Sequence, residues 1–127
     1  MGKKFILVDT NILIKALRQD THTLSVLDRI GYANIYISVI TVAEILYGIQ
    51  KREEKFTLEL LGKLNKIHLD EYISRRFVSI ITDVNNKRKQ IPDALIAATA
   101  LEYGMEIYTS NKKDFDQIKQ LRLFREP

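Results

Sequence analysis

Phe5-Ile6-Leu7-Val8-Asp9-Thr10-Asn11 is the stretch on which the reading of this chain turns. Four apolar residues in a row suit a strand covered on both faces, as at the centre of a parallel sheet. Asp9 ends the run, and Thr10-Asn11 then reads as a cap before a helix carrying Ile12, Leu13, Ala16 and Leu17. An acid at such a junction lies at the carboxyl edge of an open α/β sheet, where ligands bind.

The same grammar repeats downstream. A helix over Thr23 to Ile30, stopped by Gly31, leads to the strand Ile35-Tyr36-Ile37, which closes at Ser38. Helices follow from near Thr41 to Ile49 and around Glu53 to Lys66, the second with Phe56, Leu60, Leu61 and Leu64 on one face. Ile67-His68-Leu69 reads as a short third strand before a long amphipathic helix from Glu71 to about Asn86, and Asn85 to Gln90 is a polar break. Ile91-Pro92-Asp93 opens an alanine-rich helix, Ala94 to Tyr103, with Gly104 placed to terminate it. Glu106 to Thr109 is a fourth strand, Asn111 to Ile118 a short helix, and Leu121 to Phe124 a final edge strand. Strands alternating with helices predict an α/β fold: one domain over residues 1–127, three-layer α/β/α, with a central parallel sheet of four to five strands.

A chain of 127 residues with 46% hydrophobic and 28% charged residues is long enough for a real core and too apolar for disorder. The absence of cysteine excludes disulfides, thiolate metal sites and a cysteine nucleophile. Five scattered glycines form no phosphate-cradling loop, which removes P-loop and dinucleotide readings. His22 and His68 lack a partner pattern and read as ordinary structural residues. No apolar run approaches the ~20 residues of a membrane span. Lys3-Lys4 precedes only four strongly apolar residues, too few for a secretory leader, so the expected location is cytoplasmic, with no membrane partner.

Four acids occupy equivalent junctions: Asp9, Glu44, Asp93 and Asp114. Each has a local explanation. Thr41-Val42-Ala43-Glu44 matches a capping box; Asp93 follows Pro92 at a helix start; Asp114 fits a first turn after Asn111. None of these explains why Asp9, Glu44 and Asp114 all follow apolar strands whose ends share one edge. Two carboxylates ~4 Å apart repel by about 4 kcal/mol at an effective dielectric near 20. A Mg²⁺ or Mn²⁺ ion, which prefers oxygen ligands, would offset that repulsion. Setting the four acids aside leaves 20 basic against 12 acidic residues, +8 over the rest of the chain. A negative pocket in a positive surface suits metal-assisted cleavage of a polyanion. The basic clusters Lys51-Arg52, Arg75-Arg76, Lys87-Arg88-Lys89 and Lys112-Lys113 read singly as solvated helix faces.

With these residues in hand, the chain resembles the PIN-domain ribonucleases, most closely the VapC-like toxins of bacterial toxin–antitoxin pairs. The matching pieces are Val8-Asp9-Thr10-Asn11, then Ser38, Thr41, Glu44 and Gly48, then Ile91-Pro92-Asp93 to Ala100, then Thr109-Ser110-Asn111 to Phe115. They fall in family order along nearly the whole chain; the Asn85-to-Gln90 stretch departs by lacking a glycine. The resemblance implies an endoribonuclease whose Asp9, Glu44, Asp93 and Asp114 form a Mg²⁺ or Mn²⁺ pocket. Thr10, Asn11 and Asn111 would orient carboxylates, water or phosphate, and Asp116 is an additional acid nearby. It also implies RNA as substrate, 5′-phosphate and 3′-hydroxyl ends, a homodimer, and a cognate antitoxin whose tail enters the acidic groove. The Phe56 to Leu64 helix could supply partner contacts. The rival from another class is a phosphoryl-receiver domain, with Asp70 as acceptor at the end of strand three. A housekeeping nuclease and a catalytically idle binding module are the remaining alternatives.

Overall fold

The computed structural model describes residues 4–83 and 90–127. Four strands, β1 (Ile6–Val8), β2 (Ile35–Ser38), β3 (Asn65–Ile67) and β4 (Glu106–Tyr108), form one sheet in the order β3-β2-β1-β4. Every pairing is parallel; Ile6 stands opposite Ile35 on one side and Glu106 on the other. Parallel neighbours require crossover connections, and the helices supply them. They are α1 (Thr10–Leu17), α2 (Thr21–Ile30), α3 (Val39–Gly48), α4 (Glu54–Gly62), α5 (Glu71–Thr82) and α6 (Ile91–Tyr103).

Alternation along the strands divides the apolar side chains into two cores. Ile6, Val8, Ile35 and Ile37 pack with Leu13 and Ala16 of α1, Leu27 of α2 and Leu60 of α4 on one face. Leu7 and Ile107 pack with Ile73 of α5 and Ile96 of α6 on the other. The sheet is thus sandwiched between two helical layers, and β1 is buried on both sides. This is the three-layer α/β/α arrangement expected. Among the described residues, no helix is long and apolar enough to cross a membrane.

From β1 the chain steps outward through β2 to β3, then returns to the far side of β1 for β4. The order therefore reverses between β1 and β4, and ligands in open α/β sheets collect outside the strand ends at such a point. The same order removes the receiver alternative, whose fold runs 2-1-3-4-5 with strand one between strands two and three. Asp70 has another duty: it caps α5, its carboxylate accepting from Ile73 N at 2.8 Å. Asp70→Ala should cost about 0.5–2 kcal/mol in a urea titration, as loss of a helix cap does.

Several expected elements shift. The third strand is Asn65–Ile67, not Ile67 to Leu69, and His68 is exposed beyond it. As an edge strand β3 needs no apolar run, and Asn65 fastens it by donating to the carbonyls of Ala33 and Ile35. The helix expected from Glu53 begins as a 3-10 turn over Lys51–Glu53, where Gln50 and Glu53 form a capping box. α4 ends at Gly62, so Leu64 is buried from the following turn, while Phe56 stays 45% exposed. The expected helix from Asn111 to Ile118 is one 3-10 turn, Lys112–Asp114, and the last edge strand is a single parallel bridge between Leu123 and Ile107. α5 runs to Thr82; the Lys87-Arg88-Lys89 cluster and most of the polar break lie outside the described residues.

Candidate active site

Asp9 lies at the carboxyl end of β1 as the N-cap of α1, only 4% exposed. Both of its oxygens are engaged. Oδ1 accepts from Thr10 N at 2.8 Å, and Oδ2 accepts from the Thr109 hydroxyl at 2.8 Å. Its own N–H donates to Tyr108 O at 2.9 Å. The acid is thereby fixed between the two strands that flank the reversal point.

Glu44 reaches the same edge from α3, but not as a capping residue. The helix begins three residues earlier than the capping box implies, with Ser38 as N-cap accepting from Ile40 N at 3.1 Å. Thr41 is instead fully buried inside the first turn. Thr10 Oγ1 lies 2.7 Å from Glu44 Oε1 and 3.0 Å from Thr41 Oγ1, so one hydroxyl links α1 to both residues of α3. Asp93 stands in the first turn of α6, next to Pro92. Asp114 closes the 3-10 turn and accepts from the Asn111 amide. Asn11 Oδ1 accepts from Ser110 N at 3.3 Å, tying α1 to the loop after β4.

The four acids share one electrostatic pocket. Burial first, then the charges of Asp9, Asp114 and Glu44, push the Asp93 carboxyl up to about 6. Asp9 is also pushed up, chiefly by burial; its bonds from Thr109 and Thr10 pull it down, while Glu44 and Asp114 push it further up. The donor set is all carboxylate oxygen, which suits a hard divalent cation. Among the described residues, no three His, Asp or Glu side chains are gathered tightly enough to hold an ion as they stand. Glu44 accepts from the Thr10 hydroxyl and Asp114 from the Asn111 amide.

The Asp93 shift makes a prediction about pH. The folded chain holds its proton up to about pH 6, whereas an unfolded aspartate releases it near 3.8. Between those values the folded state binds more protons, so this group's contribution to stability falls as pH rises through the window. In urea titrations without divalent ions, Asp93→Asn should gain on the native chain between pH 4 and 6. Partial exposure limits the gain to about 1 kcal/mol. A constant difference across that range would contradict the shared pocket.

The family profile described as the PIN domain matches residues 6–121. The chain belongs to the PIN-domain family. Ribonuclease VapC of Rickettsia bellii is 32% identical to it, over 96% of each chain. Ribonuclease VapC1 of Methanocaldococcus jannaschii is 31% identical, over 93% of this chain and 84% of its own. A chain in a toxin–antitoxin complex from Klebsiella pneumoniae superposes with a TM-score of 0.80 at 31% identity, covering 96% of this chain and 99% of its own. PIN-domain ribonucleases as a class depend on a metal ion.

In this PIN domain, Asp9, Glu44, Asp93 and Asp114 come together at the edge where β1 and β4 end, and Thr10, Asn11 and Asn111 contact or flank them. Asp116 is exposed and lines a groove that also includes Thr109, Ser110 and Lys112. Two residues escaped the sequence reading as site members: Thr109, which holds Asp9, and Thr41, which meets Thr10. Their positions, just after β4 and in the first turn of α3, were available signals. Their bonds were not, because each joins residues far apart in the chain.

Proposed function

We propose that this PIN domain is a metal-dependent endoribonuclease and the toxin of a toxin–antitoxin pair, with Asp9, Glu44, Asp93 and Asp114 as its metal-holding acids. The observation that carries the reading is Asp9: an acid fixed by two donors at the sheet's reversal point and pushed up first by burial, then by Glu44 and Asp114. Relatives named ribonuclease support the activity, and the kinship with a toxin–antitoxin complex supports the partner.

A Mg²⁺ or Mn²⁺ ion bound to these acids would supply the charge that neutralises them and the Lewis acidity that phosphodiester hydrolysis draws on. The chain's own part is to hold the carboxylates ready. Thr109 and the Thr10 N–H keep Asp9 from turning away, and Thr10 presents its hydroxyl to Glu44. In the reaction, water adds at phosphorus, the bond to the 3′ oxygen breaks, and a proton from water ends on that oxygen. The products carry 5′-phosphate and 3′-hydroxyl ends.

A groove of about 380 Å³ opens beside Glu44, with Ile14, Leu17, Ile45 and Phe56 in its walls and Arg18 and Arg52 at its sides. An apolar segment of the antitoxin fits there, next to the acids it must silence. The active form is a cytoplasmic homodimer. The test is end-mapped sequencing of RNA fragments after brief induction, comparing the intact chain with Asp93→Asn. New 5′-phosphate ends confined to the intact chain are expected, with growth arrest relieved by the antitoxin. The same fragments from both chains would refute the assignment.

A further inference from the structure

Residues 121–127 run along the outer edge of β4. Ile107 N donates to Arg122 O at 3.0 Å, and Phe124 N donates to Ile107 O at 2.8 Å. The Phe124 ring tilts against Tyr108 with centroids 5.1 Å apart. Tyr108 is 2% exposed, and a buried phenol needs an acceptor. It finds one in Glu126: the hydroxyl donates to Oε1 at 2.7 Å, a bond strengthened by the carboxylate charge. The other oxygen, Oε2, lies 2.6 Å from His22 Nε2 in the first turn of α2. One side chain thus ties an edge strand to a helix of a different layer.

The nuclease chemistry uses none of these three residues, yet the acid site rests on the strand they hold. Tyr108 O takes the N–H of Asp9, and Thr109, the next residue, gives its hydroxyl to the Asp9 carboxylate. β4 contributes only three residues to the sheet, and its end is tied by few bonds: Asp9 N to Tyr108 O, Ser110 N to Asn11 Oδ1, and the Tyr108 hydroxyl to Glu126. We propose that Glu126 is a positioning residue for Asp9, bridging Tyr108 and His22 so that the end of β4 keeps Thr109 against the Asp9 carboxylate. Its effect on cleavage rests on the nuclease reading; its effect on the strand end does not.

The experiment compares Glu126→Ala, Glu126→Gln, Tyr108→Phe and the Tyr108→Phe/Glu126→Ala double variant. Amide hydrogen exchange is read at Asp9, with Ile96 of α6 as the internal reference, alongside kcat and KM on an RNA oligonucleotide. Glu126→Ala should speed exchange at Asp9 about tenfold with Ile96 unchanged, and lower kcat severalfold at constant KM, less than loss of a direct partner of a metal-holding acid would. Glu126→Gln, which still accepts from Tyr108 and can donate to His22, should restore both. The double variant should lose no more than either single one. Equal acceleration at Asp9 and Ile96, full kcat with only a lowered melting temperature, or additive losses would overturn the proposal. Local acceleration at Asp9 in a protein whose native form cleaves no RNA would uphold the positioning role and refute the nuclease reading.

Discussion

Asp93→Asn should lower RNA cleavage by ~10³-fold while the domain stays folded and, without divalent ions, melts at a higher temperature at neutral pH. The two effects have one cause. Asp93 is pushed up to about 6 by burial and by three neighbouring carboxylates, so its charge is unfavourable in the folded chain. An amide keeps the shape and removes the charge, and with it an oxygen proposed to hold the metal. Single-turnover cleavage at saturating Mn²⁺, paired with thermal melts in chelator, measures both. Undiminished cleavage, or a lower melting temperature in chelator, would contradict the assignment. Asp93 is a cleaner target than Asp9, whose carboxylate also satisfies Thr10 N and the Thr109 hydroxyl. Asp9→Ala would strand those donors at about 1–3 kcal/mol and blur loss of chemistry with loss of fold.

Phe115→Ala should destabilise the domain by about 3–5 kcal/mol, as removal of a buried aromatic ring does. Phe115 is 1% exposed and packs in the core shared with Leu7, Ile107 and α6. It directly follows Asp114, and its N–H donates to Lys112 O at 3.0 Å, so it anchors the 3-10 turn carrying that acid. The melting temperature should fall by roughly 10–20 °C. At temperatures where the variant is still folded, cleavage should drop as Asp114 loses its seat. Phe115→Leu fills most of the space and should lose about 1.5 kcal/mol or less. An alanine variant as stable as the native chain would place Phe115 outside the core.

The parts of the fold that could be read in advance are those whose burial is two-sided. The run from Phe5 announces a central strand because both faces of a parallel interior strand are covered; the strand itself is Ile6–Val8, and Phe5, 46% exposed, lies before it. β3 could not be read this way; as an edge strand it carries Asn65 and Lys66 and takes its register from side-chain bonds to β2 and the preceding loop. The site divides similarly. Asp9, Asp93 and Asp114 stand out as acids at strand and helix junctions. Glu44 was legible in place but ambiguous in role, because a capping box with Thr41 looks identical until Ser38 is seen to start α3. Thr109 and Thr41 reach Asp9 and Thr10 across 100 and 31 residues, which no local spacing encodes.

Asp9 both ends a buried strand and caps α1, so the molecule cannot lose this acid cheaply. Among cells that survive forced expression by spontaneous mutation, chains altered at Asp93 or Glu44 should accumulate to normal levels. Those altered at Asp9 should be recovered mostly as poorly accumulating protein. The spectrum of escape alleles would then map which acids serve chemistry alone and which also serve the scaffold.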